Sequence, residues 1–249
     1  MRQDQIALQL YTVRRPAAED LPATLRAVAD AGYRSVELAG LPDLPTDRIA
    51  ALLGEHGLQP IASHVPLDDL RADVSAVAER MATLGCPRVI VPWLPERDRT
   101  SLEGARRLAE ELAGYRGALS AQGLRLGYHN HAFEFDRLDG STLWDVLLAG
   151  LPREFEFEID VYWAAFAGRD PIAEIGATRG RVKLLHMKDM ARDPEPHDAP
   201  AGQGSLPFPR IIAAGDAAGV EWYIVEQDEP ADPLVDVATS LRHLGSLAR

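Results

Sequence analysis

The sequence predicts an α/β fold with parallel strands closed into a single (β/α)8 barrel. Three observations carry this. Eight apolar, strand-like runs recur along the chain: IALQL, YRSVEL, LQPIASH, RVIVPW, LRLGYH, FEFEID, VKLLHM and WYIVEQ. Segments with helical periodicity lie between them, among them DLPATLRAVADA, LRADVSAVAERMATL and SLEGARRLAEELAGYRGALSA. Strands alternating with helices call for parallel pairing through crossover helices.

The joints repeat as well. Gly32, Gly57, Gly85, Gly123 and Gly219 each stand one to three residues before a strand. A helix ends readily on a residue in the left-handed conformation, which costs glycine little because it has no Cβ. The rival architecture, a doubly wound sheet, usually carries a glycine-rich turn after its first strand, and QLYTVRR has none. The 249 residues suit one such barrel, read as a single TIM-barrel domain over 1–249. One connection is long: residues 189–205, DMARDPEPHDAPAGQGS, rich in Pro, Gly and charge. A loop of this length in a compact domain is read as an active-site lid.

Composition narrows the function. The lone cysteine, Cys86, rules out a disulfide framework and fits a cytoplasmic protein. No apolar run reaches membrane-spanning length. A formal net charge of −12 argues against nucleic acid as a partner, since phosphate backbones need a basic face. A small anionic substrate stays compatible with it.

The strand ends carry the chemistry. In barrels of this kind the active site lies at the C-terminal ends of the strands. Those ends here supply Gln9 and Tyr11, Glu37, His64, Trp93, His129 and His131, Asp160, His186 and Lys188, then Glu226 and Asp228. Residues two apart share a strand face, which pairs Glu158 with Asp160, His186 with Lys188, and Glu226 with Asp228. Carboxylates converging at low dielectric repel strongly, and a divalent cation removes the conflict. Histidine mixed with Asp and Glu suits Mn, Co, Zn or Mg. Trp93 and Trp163 are candidate walls for a sugar, with Glu37, His64 and His129 as further substrate contacts.

The segments QLYTVR, GYRSVELAG, YHNHAFEF, EIDVYW, LLHMKDM, GQGSLPF and WYIVEQDE, in that order, resemble the sugar phosphate isomerase/epimerase family. These are xylose-isomerase-like TIM barrels, related to inosose dehydratases. The resemblance runs from about Ile6 to Asp228. It implies one divalent ion per chain, held by residues at the ends of strands five to eight. Matched residue by residue, these are Asp160, His186 and Glu226, with the strand-five ligand drawn from YHNHAFEF. Glu134 keeps the family's glutamate and is the expected ligand. His129 is its rival.

The resemblance also implies a small-molecule carbohydrate substrate. A proton next to the carbonyl of a ketose or keto-sugar would be abstracted through an ene-diolate, giving an isomerase or epimerase. Glu226, Glu158 and His131 are the candidate proton carriers, and Lys188 would stabilise the enolate oxygen. A keto-inositol or keto-sugar dehydratase using the same metal site is the alternative, and a non-catalytic binding barrel a second. Subunit interfaces are common in the family, so a homo-oligomer is compatible with the resemblance.

Overall fold

The computed structural model describes residues 1–249. Eight parallel strands close the barrel: β1 Ile6–Gln9, β2 Ser35–Leu38, β3 Gln59–His64, β4 Arg88–Val91, β5 Arg125–His129, β6 Glu156–Asp160, β7 Val182–His186 and β8 Trp222–Val225. Each pairs with its sequence neighbours, and β1 pairs with β8 to complete the ring. All eight strands fall on the apolar runs read from the sequence. The five joint glycines all adopt positive φ, from 63° to 114°.

Helices between the strands form the outer layer, and local chemistry starts several of them. Asp20, Ser101 and Thr142 each accept a hydrogen bond from a backbone amide in the first turn of the helices Leu21–Ala31, Leu102–Ser120 and Leu143–Gly150. A core of 56 buried residues fills the space between strands and helices, with Tyr128, Phe157, Ile159 and Val225 on the outward strand faces. The barrel interior holds a separate cluster of six: Ala7, Ile61, Ala62, Ile90, Leu184 and Ile224. Gly127 makes room in this narrow space, because a Cβ there would lie 2.7 Å from Ile90 Cδ1.

Strand alternation sorts the polar residues. Leu184 faces inward, so His186 does too; Ile224 does the same for Glu226, and Gly127 for His129. Phe157 and Ile159 lie in the outer core, so Glu156, Glu158 and Asp160 face the axis. The face-sharing read from the sequence therefore holds for Glu158 with Asp160. In register, Asp160 stands beside His186 and His129 beside Glu158.

Residues 189–205 contain a hairpin, Asp189–Ala191 against His197–Ala199, rather than a structureless loop. Its return is pinned to the body of the protein. Ala201 N donates to Ser240 Oγ, and Asp198 accepts from the backbone amides of Asp228 and Glu229. No helix is long and apolar enough to cross a membrane.

Candidate metal and substrate site

At the C-terminal mouth, the strand ends bring ligand-type side chains together. His129, Asp160, His186 and Glu226 each present one donor atom, all within 4.8 Å of one another, and all four residues are buried. The donor atoms of His64, His129, Glu158 and His186 also lie within 4.8 Å of one another, with His64 half-buried.

Asp160 is oriented by the start of the next helix. Its Oδ1 accepts from Tyr162 N at 2.8 Å and Trp163 N at 3.0 Å, which caps the helix Val161–Phe166. That fixes Oδ2 toward the site, where it is buried without a hydrogen-bond partner and lies 3.0 Å from Lys188 Nζ. Asn130 holds the strand end in place: its Oδ1 accepts from Asp160 N at 3.0 Å. The sequence offered a clue to Asn130 only in its position between two histidines.

His186 sits among carboxylates. Nδ1 lies 2.7 Å from Glu226 Oε2, and Nε2 lies 2.7 Å from Glu37 Oε2 and 3.0 Å from Glu158 Oε1. Burial opposes a charge on this ring, but Glu158 and Glu226 outweigh it and raise its pKa well above the ordinary histidine value. Burial pushes His129 the other way, down to about 4, with His186 adding to the effect against the hydrogen bond to Glu158. His129 is therefore a neutral imidazole at pH 7, the form that binds metals. Burial raises Asp160 to about 6 against the opposing charge of Lys188, while Glu226 adds to the rise.

Three carboxylate oxygens remain buried without hydrogen bonds here: Glu37 Oε1, Glu158 Oε2 and Asp160 Oδ2. Buried oxygens of this kind are costly, and a cation held by the cluster would satisfy Asp160 Oδ2. Together with the mixed imidazole–carboxylate donor set, they fit a divalent ion.

Lys188 is the cation the chain itself supplies. Its Nζ lies 2.8 Å from Asp228, 2.9 Å from Glu226 and 3.0 Å from Asp160. Burial opposes its charge, but these carboxylates raise its pKa well above the ordinary lysine value.

A cavity of about 390 Å³ opens onto this cluster, lined by Tyr11, His64, Trp93, His129, His131, Glu226 and Asp228 beside Ala39, Gly40, Pro66 and Pro92. That is toward the small end of the roughly 300–1,000 Å³ range of small-molecule sites. Trp93 is 50% exposed and Tyr11 37%, so both present rings to solvent. His131 lines the cavity although the strand ends at His129, and its ring lies 5.0 Å from that of His129. Burial drives its pKa down to about 2, with His129 reinforcing the shift, so His131 is neutral at pH 7.

Several expected residues fall elsewhere. Glu134 does not join the cluster. Tyr128, one residue before His129, points outward into the helix layer, and Glu134 follows it there. Its Oε1 accepts from the Tyr128 hydroxyl at 2.6 Å and its Oε2 from His131 N at 2.7 Å. Both oxygens are committed, and the strand-five side chain inside the barrel is His129. Glu37 and Glu158, expected at the substrate, are fully buried and absent from the cavity wall. Glu158 Oε1 instead joins His64 and His129, each at 2.9 Å. Trp163 stands behind His131, with ring centres 5.5 Å apart, and does not reach the wall. No residue of 189–205 lines the cavity.

Solved structures share this fold across nearly the whole chain. A sugar phosphate isomerase/epimerase from Parabacteroides distasonis ATCC 8503 is 27% identical, with a TM-score of 0.84 and 96% of each chain covered. The IolI protein with a bound zinc atom has a TM-score of 0.76 at 14% identity, covering 98% of this chain and 97% of its own. The probable 3-DHS dehydratase AsbF from Bacillus anthracis has a TM-score of 0.73 at 11% identity, covering 98% of each chain. No curated protein matches in sequence. The model of the xylose isomerase-like TIM barrel family matches residues 25–247, and the chain belongs to that family.

Proposed function

We propose that this protein is a divalent-metal-dependent sugar isomerase or epimerase acting on a ketose or keto-sugar. The observation that carries the reading is the convergence of His129, Asp160, His186 and Glu226, of which His129 and Glu226 line a cavity with aromatic walls. These four residues would hold the ion, whose chemistry when bound is Lewis-acid polarisation of the adjacent carbonyl and hydroxyl oxygens of the substrate.

The chain's own residues do the rest. Glu37 fixes the orientation of His186 through Nε2, and Glu158 does the same for His129 through Nδ1, as carboxylates do behind ligating histidines. Tyr11 and Trp93 offer ring faces to a sugar. His131 stands on the wall and is one candidate to carry a proton at a ring nitrogen. Glu226 is the second candidate proton carrier, since it also lines the cavity. Lys188, beneath the wall and paired with Glu226, would offset negative charge developing on the substrate oxygen from behind that carboxylate.

Dehydration is the second reading. A neighbour sharing the fold is described as a probable dehydratase, and loss of a hydroxyl would follow the same proton abstraction. One experiment reads both. Ketoses, keto-sugars and keto-inositols are incubated in D2O with protein supplied with Mn, Co, Mg or Zn, and followed by NMR. Deuterium entering the carbon next to the carbonyl supports the reading. Retention of the carbon skeleton with moved or inverted stereochemistry marks an isomerase or epimerase, and a new alkene or enone marks a dehydratase. No exchange with any substrate or metal, while sugars still bind, would leave a binding barrel.

A further inference from the structure

The stretch Gly202-Gln203-Gly204-Ser205 has the composition of a phosphate-binding turn, and it precedes the helix Phe208–Ala218. Barrels often bind phosphate in the loops after strands seven and eight, using backbone amides of this kind. In this chain the amides are already engaged. Asp189 Oδ2 accepts from Gly202 N and Gly204 N, both at 2.9 Å. Its Oδ1 accepts from Met190 N at 2.8 Å and Leu206 N at 3.0 Å. Asp189 itself is buried. A carboxylate of the protein thus takes four donors that a bound phosphate would need.

The two glycines serve this closure. A Cβ at Gly204 would lie 2.3 Å from Asp189 Oδ1, and one at Gly202 would lie 2.3 Å from His243 Nδ1. Each is small because the chain folds tightly onto its own side chains there.

The cavity wall points the same way. It includes Glu226 and Asp228 and contains no Arg or Lys. Lys188, beneath it, is shared among three carboxylates. Arg14 lies 4.0 Å over the Tyr11 ring and is turned to Glu229 at 2.9 Å. Arg99 stacks over Phe133 at 3.9 Å and is absent from the wall. A phosphate dianion entering the cavity would meet two carboxylates and three histidines, and no Arg or Lys on the wall. Dianion recognition ordinarily rests on Arg, Lys or unengaged amides.

We infer that this site takes an uncharged, unphosphorylated carbohydrate, because its wall holds no Arg or Lys and Asp189 already engages the amides of the loop after strand seven. The inference rests on the carbohydrate reading above and narrows its substrate class. Tyr11 and Trp93 would meet the apolar face of the sugar, and His64, His131 and Asp228 its hydroxyls.

The test compares matched pairs by ligand-observed NMR: fructose with fructose 6-phosphate, glucose with glucose 6-phosphate, and inositol with inositol 1-phosphate. Inorganic phosphate serves as competitor, and thermal shift gives a second readout. The free sugar of a pair is expected to bind at least about tenfold more tightly than its phosphate ester, since no Arg, Lys or unengaged amide on the wall repays desolvation of the dianion. Millimolar inorganic phosphate should neither displace the sugar nor raise Tm. An ester binding as tightly as its sugar, displacement by phosphate, or a phosphate-dependent rise in Tm would each overturn the inference. If phosphate does bind, Arg99→Ala locates it by abolishing the effect.

Asp189→Ala frees the four amides and is expected to lower Tm, with partial recovery on adding phosphate or acetate. Should that variant fail to fold, the wild-type thermal shift still decides the question. Neither readout needs turnover. Missing proton exchange with the sugar preference intact would therefore count against the isomerase reading alone.

Discussion

The two ends of the barrel both bury charge, and they neutralise it differently. At the N-terminal end, Arg88 is buried in the barrel and donates to Glu156 at 2.9 Å and to Glu221. Arg125 reaches the same two carboxylates, and Lys183 lies 3.8 Å from Glu221. Three cations face two carboxylates there, and none of those carboxylate oxygens is left buried without a hydrogen bond. At the C-terminal end, Glu37, Glu158, Asp160, Glu226 and Asp228 converge on one lysine and on histidines, and three carboxylate oxygens remain without hydrogen bonds. The first arrangement is complete within the chain. The second leaves carboxylate oxygens without hydrogen bonds within the chain, as the proposed metal site requires, and this contrast separates a structural charge network from a candidate site.

Breaking the closed end should produce the largest effect on stability. Arg88→Ala leaves Glu156 buried beside a cavity, and loss of about 3–5 kcal/mol is expected in urea unfolding. Added divalent metal should restore none of it. A comparable loss on Lys188→Met, at the open end, is expected at about 2–4 kcal/mol, and here Mn or Zn should restore most of it by binding only the folded state. If metal rescues both variants or neither, the distinction between the two ends fails.

Glu134→Gln sharpens the comparison, because Glu134 lies beside the open end without belonging to it. Metal content should be unchanged. The pH dependence of stability should change, and its sign follows from the carboxyl. Burial raises Glu134 to about 7 in the folded protein, from 4.5 for an unhindered glutamate. Between those values the folded state binds more protons than the unfolded one, so the wild type loses stability as pH rises from about 4.5 to 7. Glutamine escapes this loss. The variant should therefore gain on the wild type across that window, by up to about 3 kcal/mol, and the difference should be constant above it. A flat difference across the window would contradict the burial of an ionisable Glu134. The smallest effect concerns the wall: Trp93→Ala should weaken sugar binding about three- to tenfold, with stability and metal content unchanged.

The fold was legible because each barrel strand is an apolar run ended by polar residues, and because glycines punctuate the helices. The face shared by Glu158 and Asp160 was legible too, since strand alternation is fixed by geometry. YHNHAFEF resisted for a physical reason. Alternation holds only while the strand lasts, and it ends at His129. Beyond it the chain turns into the short helix Phe133–Phe135, which carries Glu134 back to the outward hydroxyl of Tyr128. A three-residue turn of this kind leaves no periodic trace in the sequence. The role of Asp189 was equally hidden. Its four amide partners come from 190–206, and a carboxylate accepting local amides reads like any charged loop residue. Glu37 and Glu158 were placed at the right end of the barrel, where they face His186 and His129 and do not line the cavity.

The central claim, that the open end is completed by a divalent ion, is tested most directly by metal content. Mass spectrometry on protein purified without chelators, then offered Mn, Co, Mg or Zn, would be compared with the Asp160→Asn, Glu226→Gln double variant. The account predicts about one tightly held ion per chain in the wild type and its loss in the folded double variant. A wild type that stays empty with every ion, or a double variant that keeps its metal, would contradict it.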